Sequence, residues 1–208
     1  MLFITFEGPE GSGKTTQINK LAFYLRKKGF KVIKTREPGG SPIAEKVRRI
    51  LLDPKNKKLD VKSELFLYLA SRSQHVKDVV RPALNSGKIV LCDRFYDSTL
   101  AYQGYARGLN KQLINKMNRF ATENLKPHLT IYLDIDVRIG LKRASSFKGG
   151  KDRLEREKTG FHVKVRKGYL DIAKKDPKRI KVIPVSNGIE NIFCKIKNYV
   201  DSKLKQIC

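Results

Sequence analysis

Five short runs with the composition of buried strands recur along the chain. They cover residues 2–6, 31–35, 89–92, 129–133 and 180–185. Each run has the length of an ordinary strand, and the segments between the runs carry apolar residues at helical spacing. Strands that alternate with helices form a parallel sheet that is covered by helices on both faces. The pattern therefore predicts an α/β fold with a five-stranded parallel sheet.

Helical spacing of apolar residues predicts the helices. In the first helix, the apolar positions from Ile18 to Leu25 fall at i, i+3, i+4 and i+7. The second helix is expected to begin with Ser41 as its N-cap and Pro42 at its first helical position. Further helices are predicted over residues 62–75, 76–85, 97–106, 110–124, 136–146, 160–174 and 189–205.

Residues 147–159 interrupt this alternation. The segment is charged, contains two adjacent glycines and has little apolar periodicity. We interpret it as a short lid that closes over a site, although a solvated charged loop has the same composition. Since the chain contains no internal repeat, low-complexity stretch or linker, we expect one domain over residues 1–208.

A glycine-rich segment follows the first run. Residues 8–15 fill every fixed position of the phosphate-binding pattern G-x-x-x-x-G-K-[ST]. Glycines let backbone N–H groups turn toward phosphate oxygens, and the N-terminus of the next helix adds its positive dipole end. We expect Lys14 to bridge the β and γ phosphates of a nucleoside triphosphate and Thr15 to ligate Mg²⁺. The predicted triphosphate site consists of Gly8, Pro9, Glu10, Gly11, Ser12, Gly13, Lys14 and Thr15.

Carboxylates stand at the ends of two other runs, where a parallel sheet gathers its ligands. Asp93 closes the third run and is our second predicted Mg²⁺ ligand, beside Thr15. Asp134 ends the fourth run in a similar way, and for this residue we favour a helix-capping role. We prefer Asp93 for the metal because an arginine and a polar stretch follow it.

Arginines occupy positions suited to phosphate binding. Arg36 and Arg94 follow two different strands, so both can point into one crevice and hold a phosphate through paired hydrogen bonds. In the lid, Arg153 or Arg156 would bring a positive charge to the transferring phosphoryl group when the segment closes. The sequence alone does not decide between these two arginines.

The chain is strongly basic, with a formal net charge of +25. Its lysines are spread along the sequence instead of forming a basic block, so we favour a lysine-rich surface over nucleic-acid binding. The three cysteines follow no disulfide or zinc pattern. Because the chain has no apolar run of membrane-spanning length and no leader segment, we expect a cytoplasmic protein.

Four blocks of sequence together resemble the thymidylate kinase family, within the P-loop nucleoside monophosphate kinases. The Arg-Glu-Pro-Gly-Gly and Ala-Tyr-Gln-Gly blocks are far more specific than the glycine loop, and the resemblance spans essentially the whole chain in order. The acidic residue and glycine inside the loop, Glu10-Gly11, are similar to the bacterial form, in which the catalytic arginine lies in the lid. The blocks are residues 6–15, residues 35–40, Asp93-Arg94 with residues 98–104, and Asp152-Arg153.

The resemblance implies a P-loop NTPase fold and a homodimeric enzyme. Such an enzyme uses ATP and Mg²⁺ to phosphorylate thymidine monophosphate (dTMP) to the diphosphate (dTDP), on the route to dTTP. The alternative in the same class is a kinase for another deoxynucleoside or nucleoside monophosphate. A regulatory GTPase is disfavoured because the closest match to its Asn-Lys-x-Asp element, residues 115–118, lacks the aspartate. An ATP-dependent nucleic-acid-binding protein is a third alternative.

The resemblance also implies roles for individual residues. The loop with Lys14 would hold ATP phosphates, and Arg143 would lie against adenine. Arg36 and Arg94 would hold the phosphate of dTMP, with Glu10 near its 3′-hydroxyl. Lys14, Arg94 and Arg153 would be the catalytic residues.

For the thymine base, the resemblance implies stacking on Tyr68, where the family usually has phenylalanine. The tyrosine ring can still stack, but its hydroxyl needs a partner or water. Arg72 would donate to a thymine carbonyl, and Tyr102 would exclude a 2′-hydroxyl. Ser98, Thr99 and Gln103 would lie near the base. The Glu37–Pro38 peptide bond would be cis.

Overall fold

The computed structural model describes residues 1–145, 152–186 and 188–207. The five predicted strands are confirmed, with bounds within one residue of those predicted. Residues 147–151 of the predicted lid lie outside the described residues, so the prediction of one domain over residues 1–208 stays a prediction. The strands are β1 (Phe3–Glu7), β2 (Val32–Arg36), β3 (Ile89–Asp93), β4 (Leu129–Asp134) and β5 (Ile180–Pro184).

The helices fall where apolar periodicity predicts them. Two segments, Val76–Val80 and Leu100–Ala106, are π-helical and continue directly into or from α-helices. The α-helices are α1 (Lys14–Lys27), α2 (Pro42–Leu52), α3 (Val61–His75), α4 (Arg81–Asn85), α5 (Tyr96–Thr99), α6 (Lys111–Thr122), α7 (Val137–Ser145), α8 (Thr159–Lys175) and α9 (Gly188–Ile207).

All strand pairs in the sheet are parallel, in the order β2-β3-β1-β4-β5. The strand β1 is central, and its Phe6 lies opposite Asp93 of β3 and Ile131 of β4. The last residues of β1, β3 and β4 therefore meet at one edge of the sheet. This edge carries the glycine loop and the two carboxylates that the sequence singled out.

Apolar side chains of β1 alternate between the two faces of the sheet. Ile4 and Phe6 pack with Leu21 of α1 and Ile196 of α9 in one buried cluster. Phe3 packs on the opposite face with a second cluster, which includes Val80. Helices therefore cover both faces, as predicted for a parallel sheet.

Several local predictions need correction. The segment 97–106 is a short α-helix followed by the π-helical turn, not one continuous α-helix. Ser41 occupies the N-cap position of α2, but its side chain makes no capping hydrogen bond.

The predicted cis peptide bond at Glu37–Pro38 is confirmed. No helix in residues 1–145, 152–186 and 188–207 has the length and apolar character required to cross a membrane.

Candidate active site

A cleft of about 720 Å³ opens beyond the carboxyl ends of β1, β2 and β3. Most of the residues predicted for the donor site, and all of those predicted for the metal and the acceptor site, meet in its wall, although they come from distant parts of the chain. Those that line the cleft are Glu10, Gly11, Gly13, Lys14, Thr15, Arg36, Tyr68, Arg72, Asp93, Arg94, Ser98, Thr99, Tyr102, Gln103 and Arg143.

The glycine loop is held in shape by close backbone contacts. Lys14 is buried, and its Nζ donates to the carbonyl oxygens of Gly8 and Pro9, each at 3.2 Å. Gly8, Pro9 and Ser12, three residues of the predicted triphosphate site, do not line the cleft. The ammonium group of Lys14 thus lies within the loop that is predicted to receive phosphates.

The loop also fits closely against α7. A Cβ atom on Gly140 would lie 2.7 Å from the carbonyl oxygen of Glu10. A Cβ on Gly11 would meet the backbone of Gly140 in turn, and Gly11 has a φ of +69°, a region that favours glycine. No side chain fits at either position. A catalytic arginine at position 11 is therefore excluded by packing as well as by the sequence.

Glu10 and Arg94 form an ion pair inside the cleft. Burial alone would raise the pKa of the Glu10 carboxyl, but the charges of Arg94 and Lys14 outweigh it and hold the pKa at about 2. The Arg94 guanidinium also lies over the Tyr102 ring, 5.3 Å from its centroid. Glu10 is therefore ionised at neutral pH and orients the arginine that is predicted to hold the acceptor phosphate.

Arg72 is almost completely buried, at 1% exposure, and is fixed by three side chains. Its Nε donates to Glu37 Oε2 at 2.8 Å, and its Nη1 donates to Thr99 Oγ1 and Asn118 Oδ1, each at 2.7 Å. A buried guanidinium with several charge-assisted hydrogen bonds is rigid. Arg72 therefore presents a fixed donor surface to the cleft.

The region predicted to hold the base is aromatic and polar. Tyr68 is half-buried, and burial raises the pKa of its hydroxyl, with a smaller contribution from Glu64. The hydroxyl is therefore neutral at neutral pH. Gln103 donates through Nε2 to Glu64 Oε1 at 2.8 Å. This hydrogen bond fixes the orientation of the Gln103 amide at the wall of the cleft.

The two predicted metal ligands, Thr15 and Asp93, both line the cleft. Their hydroxyl and carboxylate oxygens are donors of the type that Mg²⁺ prefers, and the remaining positions of an octahedral ion are usually filled by water and substrate phosphates. This donor set fits a magnesium ion bound together with a nucleotide. The part of the chain that the structure describes holds no cluster of three or more His, Cys, Asp or Glu side chains suited to a metal.

Asp134 is not part of the cleft. Its carboxylate accepts hydrogen bonds from Arg166 of α8, from Nε at 2.7 Å and from Nη2 at 2.8 Å. The capping role predicted for it belongs to Asp136, which accepts from the backbone N–H groups of Arg138 and Ile139 at the start of α7. The helix cap therefore lies two residues later than predicted.

Arg153 does not line the cleft in this structure, and its arrival over the phosphoryl group on closure of the lid stays a prediction. It is 8% exposed, and its Nη1 lies 2.6 Å from Oε2 of the buried Glu64. Its Nε donates to the carbonyl oxygen of Leu51 at 2.8 Å. The buried carboxylate of Glu64 and the carbonyl oxygen of Leu51 hold the guanidinium in this position. The neighbouring Asp152, Leu154 and Glu155 do line the cleft.

Among the wall residues that were not predicted from the sequence, two have basic side chains. Arg48 of α2 lines the cleft and donates through Nη1 to the carbonyl oxygen of Pro38 at 2.6 Å. His162 of α8 lines it as well and is only 5% exposed, and burial lowers the pKa of its ring. There was little indication in the sequence that these two residues belong to the site, because each is a single polar residue on an amphipathic helix and is part of no motif.

Comparison with known proteins agrees with this geometry. A family model for thymidylate kinase matches residues 6–196. The thymidylate kinase of Syntrophotalea carbinolica is 52% identical over 199 residues, which are 93% of this chain and 92% of that protein. The enzyme of Geobacillus sp. strain WCH70 is 52% identical over 192 residues, 92% of this chain and 91% of that protein.

A solved structure gives the same result at the level of the fold. The crystal structure of thymidylate kinase from Ehrlichia chaffeensis matches with a TM-score of 0.77 at 38% identity, covering 96% of this chain and 98% of that one. The resemblance read from the sequence motifs is thereby confirmed. The chain has the P-loop NTPase fold and belongs to the thymidylate kinase family.

Proposed function

We propose that this protein transfers the γ-phosphoryl group of ATP to dTMP, giving dTDP for the synthesis of dTTP. The observation that carries the proposal is a single cleft in which the glycine loop with Lys14 meets Arg94 and the buried Arg72. A triphosphate on the loop and a monophosphate on the arginines would then share one enclosed space. Family membership supports the same activity.

On the donor side, the loop from Gly8 to Thr15 would hold the triphosphate through its backbone N–H groups. Lys14 would contact the β and γ phosphates, and Arg143 would lie against the adenine. Thr15 and Asp93 would hold Mg²⁺, which neutralises charge on the phosphates when it is bound. These donor assignments are supported by the loop motif, by the family resemblance and by the position of Lys14, Thr15 and Arg143 in the cleft.

On the acceptor side, Arg36 and Arg94 would hold the phosphate of dTMP, while Glu10 faces the sugar. Arg94 is held by Glu10 over the ring of Tyr102, so its guanidinium is oriented before substrate arrives. Preorganised charge of this kind stabilises a phosphoryl transition state at little reorganisation cost. No strong general base is required, since the attacking phosphate oxygen is already ionised.

For the base, the rigid guanidinium of Arg72 would donate to a thymine carbonyl, and Tyr68 would stack on the ring. Ser98, Thr99 and Gln103 would complete the edge of the base site, with Tyr102 against the deoxyribose. Discrimination between bases would then depend mostly on buried hydrogen-bonding groups, which reject a substrate that leaves them unpaired.

We also propose that the protein forms a homodimer through α2, α3 and α6. The helix α3 packs against both others. Large apolar side chains on the three helices are exposed to solvent, an arrangement that marks interaction surfaces. They are Ile43, Ile50, Phe66, Leu113 and Phe120.

A cytoplasmic location is a further proposal, supported by the free cysteines Cys92 and Cys194.

A turnover panel tests the proposed activity. The acceptors are dTMP, dUMP, AMP, GMP and free thymidine, each with ATP and Mg²⁺. The proposal expects kcat/KM to be highest for dTMP, with free thymidine inactive because it lacks the phosphate that Arg36 and Arg94 would hold. Preference for another monophosphate would replace the proposed substrate, and absence of turnover on all of them would reject a kinase of this class.

A further inference from the structure

A cluster of buried polar side chains lies behind the wall of the cleft, at the end of β1. Its centre is Glu7, which is 0% exposed. The carboxylate accepts hydrogen bonds from the hydroxyls of Ser98 and Tyr169, each at 2.7 Å, and from the backbone N–H of Phe95 at 2.7 Å. Glu7 and Tyr169 do not line the cleft, so neither would touch a ligand there.

The cluster holds the backbone of Arg94. This residue has a φ of +70°, a left-handed conformation that residues other than glycine rarely adopt. The N–H of Phe95, the next residue, donates to the Glu7 carboxylate. The N–H of Arg94 itself donates to the carbonyl oxygen of Phe6 at 2.9 Å. The unusual turn is thus secured on both sides by residues of β1.

The cluster also holds the side chain of Arg94. Nη1 of Arg94 donates to the Tyr169 hydroxyl at 3.2 Å, and that hydroxyl donates its own proton to Glu7. The hydroxyl thus accepts from Arg94 through a lone pair and gives its single proton to Glu7. The Tyr169 ring stacks on Tyr132, with centroids 4.9 Å apart, and this contact fixes the position of the hydroxyl.

We propose that Tyr169 is a positioning residue for the acceptor phosphate: together with Glu7 it orients the Arg94 guanidinium that grips this phosphate. The inference rests on the proposed function, because the role of Arg94 is part of it. Glu7 directly precedes Gly8 of the glycine loop. The residue whose carboxylate helps to hold the arginine is therefore the immediate neighbour of the loop that would hold the donor.

A double-mutant cycle tests this role. Tyr169→Phe removes only the hydroxyl and should lower kcat/KM for dTMP about tenfold, while KM for ATP changes less than about twofold. In an Arg94→Ala background, Tyr169→Phe should have no further effect, since its partner is gone. The matched control is Tyr132→Phe, which removes a buried hydroxyl from the same aromatic stack but one that donates to Asp134 at 3.2 Å.

The outcomes are distinct. An equal loss from Tyr132→Phe, or an undiminished effect of Tyr169→Phe in the Arg94→Ala background, would overturn the inference. If Tyr169→Phe does not fold, Glu7→Gln is used in the same cycle, with the same expected dependence on Arg94. If the wild-type enzyme prefers another monophosphate, the proposed substrate fails, and the cycle is measured with that acceptor, since Arg94 would hold its phosphate equally.

Discussion

Nη1 of Arg153 lies 2.6 Å from Oε2 of Glu64, and this pair directs the arginine away from the cleft. Glu64 is 1% exposed and is shared with Arg107, whose Nη2 lies 3.3 Å away. Arg107 in turn pairs with Glu157 at 2.6 Å. The described part of the predicted lid is therefore fastened to α3 by a network of charges, and Arg153 has to leave Glu64 before it can reach a phosphoryl group.

Substitution of Arg153 separates a catalytic role from a purely structural one. If the arginine acts in the transition state, Arg153→Ala lowers kcat about 100-fold or more and changes KM little. A structural ion pair alone would lower the melting temperature without this loss. Arg156→Ala is the comparison, measured by steady-state kinetics and thermal unfolding. A fall in kcat confined to Arg156→Ala would move the catalytic role to that residue.

Lys14→Ala should remove turnover almost completely, with kcat lowered at least about 1000-fold, because its charge would stabilise the transferring phosphoryl group. Binding of dTMP should persist, since the acceptor side has its own arginines. Steady-state kinetics and calorimetric titration with dTMP measure both. Lys20→Ala is the control, as Lys20 lies on the same helix and pairs with Glu190 at 2.6 Å outside the cleft. Undiminished turnover in Lys14→Ala would refute the loop assignment.

Gly140→Ala should raise KM for ATP about tenfold, because the added methyl group would displace the Glu10 carbonyl and with it the glycine loop. The matched substitution is Gly160→Ala at the start of α8. A Cβ there meets no atom within 4 Å, so this change should be neutral. Equal effects of the two substitutions on KM would show that the contact with α7 does not shape the loop.

Glu10 gives a prediction for the pH dependence of stability. Its carboxyl has a pKa of about 2 when folded, below its ordinary value of 4.5, so it stabilises the fold above pH 4.5 and loses this effect as the pH falls toward 2. The free energy of unfolding of the wild type, compared with Glu10→Gln, should fall by about 1–3 kcal/mol over that interval, after allowance for solvent screening.

Urea unfolding at a series of pH values measures this difference. Glu190→Gln serves as the control, because Glu190 is an exposed partner of Lys20 and its removal should change stability little at any pH. A difference between wild type and Glu10→Gln that stays constant from pH 6 to pH 3 would contradict the strength assigned to the pair with Arg94.

Phe120→Glu should dissociate the proposed dimer, since Phe120 of α6 is 88% exposed and a charge there opposes apolar association. Light scattering coupled to gel filtration gives the mass. The matched control is Phe23→Glu on α1, where a phenylalanine is also exposed, at 63%, but on a helix outside the proposed interface. A wild-type mass equal to one chain would reject the dimer.

The sequence was sufficient for the sheet and for most of the cleft. Strand runs such as residues 129–133 are recognisable because both faces of a parallel sheet are buried. The glycine loop was recognisable because Gly8, Gly13 and Lys14 sit at fixed spacing. Strand ends then indicated Asp93 and Arg94 as cleft residues, and both are found there.

Other features depend on contacts that no local pattern encodes. The pairing of Arg153 with Glu64 joins segments far apart in the chain, so the position of the arginine could not be read from its charged surroundings. The π-helical turn at Leu100–Ala106 has i→i+5 hydrogen bonds in place of the i→i+4 bonds of an α-helix, and no residue pattern in the segment marks the change. Arg48 and His162 line the cleft from two helices. The apolar pattern of these helices predicts which face is buried but not which polar side chains reach the cleft.

The close contact between Gly11 and Gly140 has a consequence for how the enzyme adapts. Since a side chain at either position would collide with the backbone of the other segment, substitutions there would act on the donor site and not on the base site. Engineering of base selectivity is therefore best directed at Tyr68 and its neighbours, whereas substitutions beneath the loop would weaken the use of ATP without altering the choice of base.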